Sequence, residues 1–227
     1  MTAVGDCVLN GDIRANGADG QYAGGAGGSI YLRVRTISGS GTLSADGGAP
    51  LDGGSNHGTG GGGRIAVILA AGDSFDAVSM HAFGGSPGSL GAAGTVYRQT
   101  QTGDAIVTID NSNRVSSVYT TIPAQYQPNA TELEDATVVV TNKAVLSIST
   151  NGFANALIVA STSETVNLGD AGDRLTVNAM TINGTAYTRA GAYTVANDWQ
   201  SFGLPANVSG DGELFLYVPP GTLISFR

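Results

Sequence analysis

The sequence is poor in positive charge. Of its 227 residues only 10 are Lys or Arg, against 18 Asp or Glu, and the formal net charge is −8. Lys143 is the single lysine. Because phosphate neutralisation supplies much of the affinity for nucleic acid, a chain this acidic with no basic cluster is predicted to bind no nucleic acid. An anionic membrane surface is disfavoured for the same reason.

Cysteine, histidine and long apolar runs are scarce as well. Cys7 has no partner for an internal disulfide, and the two histidines, His57 and His81, are too few for a zinc finger. We predict no metal and no cofactor. No apolar run approaches the roughly 18 residues of a membrane-spanning helix, so no membrane span is predicted. The start lacks the basic and apolar regions of a signal peptide.

These absences leave two locations open, the cytoplasm or a piece of a longer exported chain. Scarce lysine, low charge and abundant Gly, Thr, Ser and Asn favour the second. We therefore expect an extracellular or cell-surface protein whose export signal is not present in this chain.

Glycine is abundant but uneven. Residues 1–103 hold 26 of the 35 glycines, and residues 104–227 hold nine. This shift predicts a boundary near Gly103, with glycine-rich coils over 1–103. Tighter coils are predicted over 104–173, and a last rung or antiparallel β cap over 174–227.

Two kinds of segment recur within the first part. Alternating segments end in Ala, one further residue and Gly, with the alanines spaced by 30 and then 37 residues: Ala15, Ala45 and Ala82. Other segments leave glycine and enter a β-branched run, with spacings of 35 and 31 residues: Ile30, Ile65 and Val96. Self-similarity at such a period is typical of a solenoid.

The strands of this repeat alternate with period two. Ile30, Leu32 and Val34 are predicted to face inward, and Tyr31, Arg33 and Arg35 outward. No segment shows convincing helical periodicity. We therefore predict an all-β fold, and more specifically a parallel β-helix in which equivalent residues of successive coils form ladders.

Glycine is expected at the corners of such coils, because it reaches backbone angles closed to other residues. In "GGSNHGTGGGGRIAVIL" (53–69), residues 58–63 are predicted to form a loop that returns to the stack. Long loops over 17–29, 47–63 and 84–95 are expected to protrude on one side.

The second part also predicts strands, separated by turn signals such as Asn142-Lys143 and Asn183-Gly184. The predicted strands are "AIVTI" (105–109), "TVVVT" (137–141), "AVLSI" (144–148), "ALIVA" (156–160), "RLTVNAMTI" (174–182), "AYTV" (192–195) and "ELFLYV" (213–218). Trp199 and Phe202 are expected to cover the end of the core.

The segments "ISGSGTLSADGG", "GGGGRIAVIL" and "GTVYR" resemble the glycine-rich repeats of large secreted bacterial surface proteins. These are autotransporter-passenger-like and adhesin-like proteins, and the resemblance, over about residues 8–100, implies a right-handed parallel β-helix. The ending "LTVNAMTINGTAYTRAGAYTV … VSGDGELFLYV" resembles the closing segment of autotransporter-associated repeat proteins. Arg98 departs from the pattern, because it falls in the inward column of Leu32 and Val67.

Candidate ligand-binding residues lie on the outward face. Tyr22, Tyr31 and Tyr97 could form an aromatic strip for stacking sugars, and Arg33 and Arg35 could bind an acidic sugar. Neither histidine is predicted to be catalytic, and we assign no catalytic residue. The simpler interpretation of Arg33 and Arg35 is that both are solvated side chains paired with nearby carboxylates.

Three functions remain open. The leading hypothesis is a non-enzymatic extracellular β-helix module, a stalk, adhesin or filament subunit, that acts through rigidity and contacts of its loops or ends. It includes possible self-association through an uncapped N-terminal end. The first alternative is a carbohydrate-active protein, either a polysaccharide lyase or hydrolase or a glycan-binding module, with a polysaccharide as the possible partner. The second is a fragment of a phage tail-spike or fibre.

Overall fold

The structure is a computed structural model that describes residues 5–52, 57–87, 91–103, 105–122, 133–149, 151–196 and 202–218. The described part contains twenty β-strands and no α-helix, so the prediction of an all-β fold is confirmed. The predicted cover formed by Trp199 and the side chain of Phe202 lies outside the described residues. No helix in the described ranges is long and apolar enough to cross a membrane.

The strands run in chain order from β1 to β20. Their bounds are β1 Cys7–Val8, β2 Asp12–Arg14, β3 Ser29–Val34, β4 Ile37–Ser38, β5 Thr42–Ser44, β6 Arg64–Leu69, β7 Ser79–His81, β8 Thr95–Gln99, β9 Ala105–Asp110, β10 Thr120–Ile122, β11 Ala136–Thr141, β12 Val145–Ile148, β13 Gly152–Val159, β14 Thr165–Asn167, β15 Arg174–Ile182, β16 Thr185–Tyr187, β17 Gly191–Thr194, β18 Phe202–Gly203, β19 Val208–Ser209 and β20 Glu213–Leu216.

Most of these strands pair in parallel with a strand from a later or earlier part of the chain. Three sheets are wholly parallel, in the orders β1-β4, β2-β5-β7 and β10-β12-β14-β19. The fourth has eleven strands, with the order β18-β17-β20-β15-β13-β11-β9-β8-β6-β3 and β16 paired with β15. This large sheet is mixed, because β8–β9, β15–β16 and β17–β20 are antiparallel.

The columns predicted from the repeat are paired residues in the structure. Ile30 lies opposite Ile65, which lies opposite Val96, and all three are buried. In β3 the exposed and buried residues alternate as predicted. The second sheet pairs Leu43 with Ile13 on one side and with Met80 on the other.

The interior changes sides of the large sheet between β8 and β9. Residues directly opposite each other in neighbouring strands project from the same face. Val96 is buried, yet its antiparallel partner Thr108 is only half-buried, whereas half-buried Tyr97 lies opposite buried Val107. One face of the sheet is therefore the inside up to β8, and the other face is the inside from β9 onward.

The buried residues form two hydrophobic clusters accordingly. The first includes the inward residues of β3 and β6 and ends at Val96. The second includes those of β9, β11, β13, β15 and β20, and Tyr97 packs against it from β8. The domain boundaries predicted from composition are not settled by this arrangement and stay a prediction.

The glycine-rich segments differ from expectation. The described glycines near residues 24–28, 47–48, 58–63, 84–85 and 91–94 do not have positive φ, so they lack the backbone angles expected of corner glycines. Their backbones are instead hydrogen-bonded to one another. Gly48 N–H donates to Gly25 O at 2.8 Å, Gly60 N–H to Gly48 O at 3.0 Å, and Gly85 N–H to Gly60 O at 2.8 Å.

The close approach of these backbones explains why the residues are glycines. A Cβ on Gly60 would overlap with the carbonyl oxygen of Gly25, and a Cβ on Gly91 would overlap with that of Gly60. The same physical rule operates in collagen, where only glycine fits where backbones crowd together. We call these hydrogen-bonded segments, 17–28, 46–50, 57–63, 83–87 and 91–94, the glycine layer.

Two turns of the second part are set by local sequence. Asn183 and Gly184 have φ of 53° and 75°, and they join β15 to β16 with Ile182 opposite Thr185. A type I′ hairpin turn has both central residues in the left-handed region, and Asn-Gly favours this turn. The predicted turn is therefore confirmed. Asn142 and Lys143 also have positive φ, and they separate β11 from β12.

Candidate functional site

A cavity of about 100 Å³ lies where the first hydrophobic cluster ends, beside the change of faces. It is bounded by β7 and the residue that follows it, by β8, and by β9. Its lining residues are Met80, His81, Ala82, Gly94, Val96, Arg98, Thr108 and Asp110. The antiparallel register places Thr108 beside the inward face of β8, so polar side chains of β9 meet the apolar end of the first cluster.

Arg98 is the cation of this cavity. It lies opposite Val67, which lies opposite Leu32, so the arginine occupies a position where the two preceding strands place aliphatic side chains. Its Cζ lies 5.7 Å from the centre of the Phe75 ring. Its Nε is buried and has no hydrogen-bond partner, and the guanidinium forms no ion pair with any residue that the structure describes.

The carboxylates nearest the cavity are occupied by other donors. Asp110 accepts hydrogen bonds from the Ser112 N–H at 2.6 Å and from the Asn142 side-chain amide at 2.9 Å. Asp46 lies 2.9 Å from the Nδ1 of His81 and accepts the Phe83 N–H at 2.7 Å. Among the described residues, the Arg98 guanidinium thus has no ion-pair partner, while Asp110 and Asp46 already accept hydrogen bonds from other donors.

His81 is held in one orientation. The Asp46 carboxylate accepts from Nδ1, and the imidazole stacks on the Phe83 ring with centroids 4.7 Å apart and planes at 8°. In the neutral form, a proton on Nδ1 leaves Nε2 as an acceptor. Across the ranges that the structure describes, no group of three His, Cys, Asp or Glu side chains could hold a metal ion.

The residues predicted from sequence lie on other surfaces. Tyr31 and Tyr97 share the outward face of the first strands, separated by Ala66, which lies opposite both. Tyr31 is 46% exposed, whereas Tyr97 packs against the second hydrophobic cluster and donates to Gln99 at 3.1 Å. Arg33 is exposed on the same face as Tyr31.

In the structure Arg35 forms an ion pair with Asp6, and Tyr22 lies outside the strands of the large sheet. Arg35 donates to Asp6 at 2.5 Å. The hydrogen bond from the Thr36 hydroxyl, followed by that from Arg35, lowers the pKa of Asp6. Tyr22 lies in the glycine layer, with its ring edge-on to His57 at 5.4 Å. Tyr22 therefore lies on a different element from Tyr31 and Tyr97.

Several carboxylates that lie close together in the sequence accept hydrogen bonds from other groups of the chain. Asp76 accepts the Gly39 N–H at 2.8 Å, and Asp73 accepts from the Thr102 hydroxyl at 2.5 Å. The Asp173 side chain accepts the Asp170 N–H at 2.9 Å. Glu132 lies outside the described residues.

Sequence reasoning missed two buried polar sites. For the cavity around Arg98, the only indication in the sequence is that a charged residue follows Leu32 and Val67 in a column of inward-facing positions. Glu164 is 2% exposed, and it accepts hydrogen bonds from Ser161, Ser163 and the Lys143 N–H. Burial raises the pKa of Glu164, but these bonds outweigh it, so the pKa lies below its ordinary value.

Comparison with protein-family models, with curated proteins and with solved structures finds no match to this chain.

Proposed function

We propose that the protein is a non-enzymatic, extracellular structural module of the parallel β-helix type, serving as a stalk, adhesin or filament subunit. One observation carries the proposal. Equivalent residues of successive repeats pair in parallel and in register, as Ile30, Ile65 and Val96 do. Such stacking makes each coil depend on its neighbours and yields a stiff, extended array.

Polar side chains form hydrogen bonds between successive coils, because each bond joins residues about one coil apart in the sequence. Asn16 accepts the Asp46 N–H at 2.9 Å, and Asp19 accepts the Ala49 N–H at 2.7 Å, across 30 residues in both cases. The glycine layer adds backbone hydrogen bonds between segments that lie outside the strands. In this proposal, rigidity comes from both kinds of contact.

The right-handed coil, the autotransporter-like relationship and the extracellular location belong to the same proposal. They are supported by the glycine-rich repeat and by the parallel pairing across it. End-to-end association would use β1, β2 and β3, each of which has one neighbour among the described strands. Unpaired strand edges favour pairing with another chain.

A glycan-binding module is the second candidate, and the outward face of β3 favours it. Exposed Tyr31 and Arg33 lie two residues apart on one face, beside the small side chain of Ala66. An aromatic ring and a guanidinium so arranged suit an acidic sugar, by stacking and by paired hydrogen bonds.

Electrophoresis in native gels cast with neutral or acidic polysaccharide separates these functions. The structural module predicts unchanged migration and intact polymer. Retardation that is lost in a Tyr31→Ala, Arg33→Ala double variant and kept in Tyr22→Ala would favour the glycan-binding module. A cleared zone in the stained gel would overturn the proposal in favour of an enzyme.

Sedimentation velocity over a range of concentrations tests the association. Filament or end-on assembly predicts a sedimentation coefficient that rises with concentration, whereas a fixed trimer would favour the phage-fibre alternative.

A further inference from the structure

The cavity beside Arg98 has the composition of an anion site, and it is separate from the structural role proposed above. Its guanidinium has a buried Nε–H without an acceptor. An unmade hydrogen bond of a buried, charged donor is unfavourable, so such a group normally has a partner. The missing partner must be an acceptor, because Arg has no acceptor atom.

The surroundings of Arg98 indicate the charge of that partner. Asp110 lines the same cavity, and its negative charge disfavours a dianion. Among the described residues that line the cavity, Arg98 is the single Arg or Lys. A cavity lined by one guanidinium and one carboxylate therefore suits a monoanion better than a phosphate.

The shape of the donor group indicates the chemistry. The N–H groups of a guanidinium form planar forks that match the two oxygens of a carboxylate. Thr108 supplies a hydroxyl to the cavity, and His81, held by Asp46, supplies an imidazole. These two groups could bind hydroxyls of a ligand whose carboxylate is bound by Arg98.

We infer that the Arg98 cavity binds the carboxylate of a small organic acid. Two sources share this chemistry, a free short acid and a sugar acid whose ring hydroxyls contact Thr108 and His81. The volume of about 100 Å³ suits a single small group, because sites that enclose a whole drug-sized ligand are several times larger.

The test follows the Arg98 Nε–H resonance of the ¹⁵N-labelled protein during titration with sodium acetate, sodium glucuronate or sodium chloride. We expect a saturable shift with a carboxylate and none with chloride. Glucuronate binding at least about tenfold more tightly than acetate would identify a sugar acid, because two added hydrogen bonds correspond to that factor. Equal binding would identify the carboxylate alone.

Variants separate the cavity from general charge effects. Arg98→Gln should abolish the saturable shifts of neighbouring backbone amides, and Arg98→Lys should weaken binding about tenfold because it lacks the fork. Arg14→Gln removes the same charge from an exposed position of β2 and should bind like the original chain.

Three outcomes would overturn the inference. They are no saturable shift with either carboxylate, an equal shift with chloride, and carboxylate binding that Arg98→Gln retains. If Arg98→Gln does not fold, the titration of the original chain against chloride still decides the matter.

Discussion

Val96 on β8 lies directly opposite Thr108 on β9, and the two side chains project from the same face of the sheet. Val96 completes one hydrophobic cluster, while Thr108 lies on the outer side of the strands that enclose the other. The antiparallel step at β8–β9 thus allows one continuous sheet to serve two interiors.

This change of faces predicts unequal costs for the same substitution. Val107→Thr places a hydroxyl in the second cluster and should lower the free energy of unfolding by about 1–3 kcal/mol. Val139→Thr, at a half-buried position on the opposite face of β11, should cost less than about 0.5 kcal/mol. Urea denaturation of both variants checks this, and equal costs would contradict the assignment of faces.

The glycine layer predicts that neighbouring glycines tolerate alanine very differently. Gly60→Ala would drive a Cβ into the Gly25 carbonyl and should cost about 3 kcal/mol or more. At Gly61 the nearest atom to an added Cβ is the Ala92 oxygen at 3.7 Å, so Gly61→Ala should be neutral or slightly stabilising. Thermal denaturation of the two variants measures the difference. A similar loss of stability in both would argue against close packing of the glycine backbones.

The position of Arg98 predicts that the residue lowers the stability of the fold while it allows the cavity to bind a carboxylate. Arg98→Leu continues the aliphatic column of Leu32 and Val67 and removes a buried unpaired N–H, so it should raise the free energy of unfolding by about 1 kcal/mol. Arg33→Leu, on the exposed face, should change it little. Chemical denaturation is the measurement, and a loss of stability in Arg98→Leu would mean that the Phe75 contact outweighs the buried donor.

Glu164 predicts a loss of stability in acid. Its pKa is lowered in the folded state, so its contribution is complete above its ordinary pKa of 4.5 and is lost as pH falls through the lower folded value. Glu164→Gln should cost about 1–3 kcal/mol at neutral pH, because an amide N–H₂ would face N–H and O–H donors.

The pH profile supplies the check on Glu164. The original chain should lose stability steeply below the ordinary pKa, and Glu164→Gln should have a flatter profile. Glu213→Gln, which removes the carboxylate paired with Arg174, is the matched control for the loss of one carboxylate. A profile of Glu164→Gln as steep as that of the original chain would show that other groups cause the acid sensitivity.

Local sequence predicted much of this fold. The column of Ile30, Ile65 and Val96 could be aligned because β-strands bury alternate residues and the repeat preserves their phase. "RLTVNAMTI" coincides with β15, and Asn183-Gly184 forms the predicted turn, because both signals depend on neighbouring residues alone.

The remaining features depend on contacts distant in sequence. Val107 alternates with its neighbours in the same way whichever face is inside, so β9 carries no local sign of the change of faces. Glycine composition does not distinguish a flexible loop from backbones in contact, as at Gly25 and Gly60. Arg98 could be recognised as an exception in its column, but the cavity beside it depends on β9.

Amide hydrogen exchange most directly tests the central claim, that the glycine-rich segments are structural parts of the stack. We expect the amides of Gly48, Gly60 and Gly85, which donate to backbone carbonyls, to be protected to a similar degree as that of Val67 in β6. Gly172, exposed in a turn, serves as the rapidly exchanging reference. Exchange of Gly48, Gly60 and Gly85 at the rate of Gly172 would contradict the account and restore the interpretation of these segments as loops.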